Sequence, residues 1–196
     1  MKPLLFYSLF FLTGCAVNKN PAYEAVRNLQ KGNVTDDSSY VYALPYQKGK
    51  SHLAVQGYYS SFSHKNRIAI DFKMKRGTKI TAARDGIVVR SVETNTRGGL
   101  DARYRQYANL IVIEHEDKSR AGYWHLQQNG VLVNVGDTVK TGQVIALSGK
   151  TGYSAFPHLH FLVWTNKNNQ WQNLPTRFLT KKGARYLRPL RWYRNK

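Results

Sequence analysis

The sequence predicts a mainly β domain built from antiparallel sheet, and three observations point to it. From about residue 40 onward, β-branched and aromatic residues concentrate in short runs. Gly or Asp-Gly punctuates those runs, as at Asp85-Gly86 and Gly136-Asp137. At 196 residues, less an export segment, the chain has room for one buried core and little for a second domain.

The elements follow in order. Lys2 is the one positive charge ahead of an apolar run over residues 4–12, which ends in Leu12-Thr13-Gly14-Cys15. That is an export signal closing in a lipobox, so residues 1–14 are expected to be a lipoprotein signal peptide. The run is far short of the roughly 20 apolar residues a spanning helix needs. Small Thr13 and Gly14 suit a signal peptidase pocket, and the thiol of Cys15 is the nucleophile for lipidation with diacylglycerol. Residues 15–39 are polar and read as a lipidated tether. If flexible, about 25 residues would reach roughly 27 Å; a short helix over residues 21–30 is the alternative. Strands are expected over residues 79–83, 86–92, 109–114, 121–125, 143–147 and 158–164. Gly77-Thr78-Lys79-Ile80 and Gly136-Asp137-Thr138-Val139 look like two copies of one turn-then-strand element. The folded domain is placed at residues 40–165, with a basic extension over 166–196 packed on it or trailing.

Cys15 is the only cysteine, which excludes a disulfide within the chain and a cysteine metal cluster. Any metal must rest on histidines and carboxylates. The net charge is +19 and would ordinarily put nucleic acid among the partners, but export argues against it. Residues 165–196 hold nine Lys or Arg and no Asp or Glu. An anionic wall polymer or a membrane surface would be drawn to that stretch, and a solvated basic tail accounts for it equally well.

Three places carry chemistry. In Pro157-His158-Leu159-His160-Phe161, strand alternation sends both imidazoles to one face while Leu159 and Phe161 enter the core. Two rings about 7 Å apart along a strand can share one metal site, although a His-x-His alone is weak evidence. His125 closes the strand Tyr123-Trp124-His125. Asp71 interrupts the apolar run Ile68-Ala69-Ile70-Asp71-Phe72, and an ionised carboxylate buried there needs a cation or a metal.

The ordered set formed by these segments resembles the lysostaphin-like family of zinc murein endopeptidases, across about half the chain. It comprises the Asp71 strand, Ala82-Ala83-Arg84-Asp85-Gly86, Asn109 before Ile111-Val112-Ile113-Glu114-His115, Tyr123-Trp124-His125-Leu126, Gly136-Asp137 through Gln143, and Pro157-His158-Leu159-His160-Phe161. The resemblance implies the duplicated hybrid motif fold of that family. It further implies a zinc-dependent endopeptidase that hydrolyses peptide cross-links of peptidoglycan, with a zinc-bound water assisted by two histidines. Asp71 and His160 would be Zn2+ ligands, with His125 and His158 as the catalytic imidazoles. The family supplies its first histidine four residues before the Asp, where this chain has Arg67, and Arg cannot ligate zinc. His64, seven residues before Asp71, is the expected third ligand; His52 is the other histidine upstream.

Phe156 and Leu162 stand where many relatives have Gly and Glu, which alters the groove and not the ligand set. Tyr58, Tyr59, Tyr153 and Phe156 are expected to wall a groove for stem peptides, with ordinary packing as the alternative. His115 reads as structural, and His52 has no assigned role. The expected partners are peptidoglycan stem peptides and a membrane held through the lipid on Cys15, with a regulating protein left open. Ala16, rather than Asp, after Cys15 points to the outer membrane facing the periplasm. Two competing readings are an impaired family member that binds peptidoglycan or activates another wall hydrolase, for which Arg67 is the support, and a cytoplasmic sugar-phosphotransfer or carrier domain.

Overall fold

The protein is described by a computed structural model covering residues 21–36 and 39–196. The proposed signal segment and Cys15 lie outside the described residues.

Helix α1 (Pro21–Lys31) opens the described chain. Proline suits a first helical position, Glu24 and Lys31 sit at the ends that complement the helix dipole, and Gly32 at φ 78° ends it. Its apolar side docks: Val26 is buried in the core and Leu29 packs against it. The helical alternative for residues 21–30 is therefore the one adopted, and this half of the expected tether lies against the domain because Val26 and Leu29 have an apolar surface to cover.

The strands are β1 (Val41–Tyr42), β2 (Ser51–Gln56), β3 (Ile70–Lys73), β4 (Lys79–Thr81), β5 (Gly86–Val92) and β6 (Gly98–Gly99), followed by a 3-10 segment (Ala102–Tyr107). Then come β7 (Leu110–Glu114), β8 (Arg120–Trp124), β9 (Leu126–Val131), β10 (Thr138–Val139), β11 (Val144–Ser148) and β12 (Gly152–Tyr153). The last are β13 (His158–Lys167), β14 (Gln170–Leu174), β15 (Arg177–Thr180), β16 (Gly183–Tyr186) and β17 (Arg191–Arg194). The six expected strands are present, each shifted at its ends by three residues or fewer.

The nine-stranded main sheet runs β10-β5-β7-β8-β13-β3-β2-β17, and β14 pairs the far half of β13. Every pairing in it is antiparallel. A smaller antiparallel sheet, β4-β11-β9, and a third, β1-β15-β16, complete the core. Ile70, Phe72, Tyr123, Leu159 and Phe161 pack against Ile80, Ala146 and Phe178. Alternation then sends Asp71, His158 and His160 to the opposite face of the main sheet. Residues 166–196 supply the end of β13 and four further strands, and β17 pairs with β2 at the sheet edge. Both copies of the turn-then-strand element carry a positive-φ glycine, Gly77 at 75° before β4 and Gly136 at 97° before β10.

Candidate metal centre

The centre starts from one cross-strand pair. β3 and β13 run antiparallel with Asp71 opposite His160, which puts a carboxylate and an imidazole side by side on the outer face. Nδ1 of His160 lies 2.7 Å from Oδ1 of Asp71. The third member comes from the loop between β2 and β3. That loop closes on itself, since the Gly57 amide donates to Ser60 Oγ, the Tyr59 amide to the Arg67 carbonyl, and the Arg67 amide to the His64 carbonyl. It delivers His64, only 1 % exposed, with Nε2 3.3 Å from Asp71 Oδ1 and 3.2 Å from His160 Nδ1. Arg67 itself stays exposed on the rim of the cleft.

The two remaining imidazoles are held differently. Alternation along β8 would send His125 to the core side, opposite to Trp124. The backbone at His125 instead takes φ 65°, a left-handed conformation that bulky residues rarely adopt, and the ring joins the outer face. The loop after β11 keeps it there: Nδ1 lies 2.7 Å from the Thr151 carbonyl, and Thr151 is itself tied to the Leu126 carbonyl and the Asn109 amide. His158 places Nδ1 2.8 Å from the Phe156 carbonyl, and its Nε2 lies 3.8 Å from Asp71 Oδ2. Carbonyls only accept, so His64, His125 and His158 each carry hydrogen on Nδ1, which turns their Nε2 atoms away from the backbone. For His64, the fixing carbonyl is that of Gly57, at 3.0 Å. His160 is the exception, turning Nδ1 inward.

Burial by itself would push the Asp71 carboxyl up, but the charge and hydrogen bond of His160, then the bond from His64, hold it well below the usual carboxylate range. Burial pulls His64 down, and the bond and charge of Asp71 more than reverse this, so its pKa is raised. For His160 burial prevails over Asp71 and the pKa is lowered. His125 is pushed down to about 3 by burial and by the neighbouring His158 and His160 rings.

These residues fit a metal ion. The donor atoms of His64, Asp71 and His160 all lie within 4.8 Å of one another, and the edges above are 2.7, 3.2 and 3.3 Å. Bonds of about 2.0–2.1 Å at tetrahedral angles set neighbouring donors roughly 3.3 Å apart. Two nitrogens and one carboxylate oxygen suit a borderline-soft divalent ion. Gln56 Nε2 donates to Asp71 Oδ2 at 2.7 Å, which leaves Oδ1 to face the two imidazoles.

The centre lies on the floor of a cleft of about 670 Å³, bordered by Trp124, Tyr153, Phe156 and Leu162, with Lys65, Arg67 and Arg105 among its cations. Tyr153 and Phe156 thus border the cleft, but Tyr58 does not. Tyr58 is 6 % exposed in the core, where its hydroxyl donates to the Thr176 carbonyl and accepts from the Thr176 amide, 2.9 Å each. The expectation for Tyr58 is corrected: a phenol whose hydroxyl is satisfied by backbone prefers burial to solvent. Tyr59 packs against the same core. His115 lies outside the cleft lining, with Nδ1 2.7 Å from the Asp85 carbonyl, and His52 places Nδ1 3.0 Å from the Lys73 carbonyl. Gln56 and Thr151 were missed by sequence reasoning, since neither lies in a motif that signals its partner.

The fold and site together define an antiparallel β protein with a candidate His/Asp metal centre. Peptidase family M23 matches residues 63–173, more than half of the chain, and the chain belongs to that family of metallopeptidases. Glycyl-glycine endopeptidase ALE-1 of Staphylococcus capitis is 40% identical over 120 residues, which are 60% of this chain and 30% of that protein. Peptidoglycan DD-endopeptidase ShyA of Vibrio cholerae is 38% identical over 92 residues, 46% of this chain and 18% of its own. A solved catalytic domain of lysostaphin from Staphylococcus simulans is 32% identical, with TM-score 0.45, covering 63% of this chain and 87% of that one. The chain spans less than a third of the length of these two curated relatives.

Proposed function

We propose that the chain is a zinc-dependent endopeptidase hydrolysing peptide cross-links of peptidoglycan, with His64, Asp71 and His160 as the metal ligands. The observation that carries this reading is the convergence of three buried donor atoms beside two further imidazoles on the floor of an open cleft. When bound, zinc supplies a hydroxide nucleophile near neutral pH and polarises a scissile carbonyl.

The chain's own groups do the rest. His125 is neutral at pH 7, with its Nδ1 hydrogen held by the Thr151 carbonyl. His125 and His158 stand with ring centroids 4.6 Å apart, close enough for Nε2 of one to take a proton from the attacking water and Nε2 of the other to serve the leaving amine. Tyr153 and Phe156 wall the cleft, and the cations Lys65, Arg67 and Arg105 suit stem peptides with free carboxylates. The export signal and lipobox support a mature protein lipidated on Cys15 and held on the outer membrane facing the periplasm.

The test measures bound zinc and the release of soluble fragments from purified wall material. The intact chain binds one zinc and releases fragments, whereas His160→Ala and His64→Ala lose both. Full activity in the His160 variant ends the proposal; full activity in the His64 variant alone removes that ligand.

A further inference from the structure

A second groove, of about 750 Å³, lies between the end of α1 and strands β15 to β17. Lys181, Lys182, Arg185, Arg188, Arg191 and Arg194 line it. Among the described residues none of these six forms an ion pair, whereas Arg84, Lys118, Arg120 and Lys140 each meet an Asp or Glu. Arg185 and Arg188 reach backbone carbonyls, those of Lys182 and Gln30. Asp36 is the one acid among the described residues lining the groove, so the six cations outnumber it and repel one another, and a polyanion relieves that repulsion.

The same face exposes apolar surface: Trp192 lines the groove 69 % exposed, and Leu190, two residues away, is 74 % exposed. A soluble polyanion offers these side chains nothing. Tryptophan beside arginine is the composition of a membrane-interface anchor, with the ring at headgroup level and the cations on phosphate. Leu29, Gln30 and Lys31 of α1 form part of the rim. Pro21 follows Cys15 by six positions, at most about 20 Å of extended chain, so the lipid proposed above would hold this face near a leaflet.

We infer that this face docks on an anionic membrane leaflet, with lipid phosphates in the groove and Trp192 at the headgroups. Charge and the exposed ring carry the inference, which stands whether or not the cleft hydrolyses peptides.

The full chain is added to vesicles of bromine-labelled phosphatidylcholine with or without phosphatidylglycerol, and tryptophan emission is followed. Trp192→Phe separates that ring from the other three tryptophans. Trp192 is quenched in the phosphatidylglycerol vesicles, and high salt relieves the quenching. Each basic residue near such a leaflet strengthens association about fivefold, so Arg188→Gln with Arg191→Gln and Arg194→Gln weakens it about a hundredfold. Equal quenching without phosphatidylglycerol, or none with it, overturns the inference. If circular dichroism shows that the triple variant does not fold, the salt titration of the unaltered chain decides. Protection of the groove by soluble poly(glycerol phosphate) without quenching of Trp192 by vesicles overturns the membrane in favour of a wall polymer.

Discussion

Asp71 sits 2 % exposed between Ile70 and Phe72, and its two oxygens divide the surroundings between them. Oδ1 faces His64 and His160, while Oδ2 accepts from Gln56. Gln56 is in turn fixed by Ser63, whose amide donates to Oε1 and whose hydroxyl accepts from Nε2. Partners that orient a ligating carboxylate are worth about 10–100-fold in metal affinity. Gln56→Ala is therefore expected to weaken the proposed zinc binding by about that factor with the fold intact, as read by titration against a competing chelator. Asp71 and the His158/His160 pair were legible in the sequence, because the cost of burying a charge and the two-residue alternation of a strand are properties of adjacent residues. Gln56 was not, because its role follows from β2 lying beside β3.

At the scale of the element, the loop between β11 and β13 decides how His125 is presented. Gly152 at φ 79° lets that loop pass against Ala108, where a Cβ would lie 2.6 Å from the Ala108 side chain and 2.8 Å from its Cα. Gly152→Ala meets both a disfavoured backbone conformation and a backbone contact, and is expected to cost about 1–3 kcal/mol in denaturant unfolding. The displaced Thr151 carbonyl would release His125, so the proposed wall cleavage should fall beyond what lost stability explains when both are measured below the melting range. β8 makes a related demand. A Cβ on Gly122 would lie 2.1 Å from the Trp124 ring, so Gly122→Ala pushes that indole off the sheet and reshapes the wall beside the metal centre. The strands carrying these features were visible as β-branched runs. β2 and β14 to β17 were not, since Ser51-His52-Leu53 and Gln170-Trp171-Gln172 lack a clean apolar alternation and are held by their partners.

Across the whole molecule, charge is distributed unevenly, and the paired acids contribute stability that falling pH removes. Burial pushes the Asp117 carboxyl up, but the Ser119 hydroxyl and the Arg84 guanidinium, 2.8 Å away, more than offset it and bring it to about 2. A carboxylate with a depressed folded pKa contributes stability above its ordinary value of 3.8 and loses that contribution as pH falls through about 2. Because half of this side chain is exposed, solvent screening keeps the contribution small. Thermal unfolding followed from pH 5 to pH 2 should show a shallower decline in Asp117→Asn than in the unaltered chain.

By itself the sequence determined the antiparallel β class and the shared face of Asp71, His158 and His160 on β3 and β13, because alternation and desolvation act between neighbours along the chain; it reached His125 and His64 through the family resemblance. Only the tertiary structure decided that the loop after β2 brings His64 to Asp71 while Arg67 stays on the rim, that Tyr58 belongs to the core, and that the basic C-terminal strands gather beside α1. Those outcomes depend on hydrogen bonds and packing between segments far apart in the chain, which no local spacing encodes.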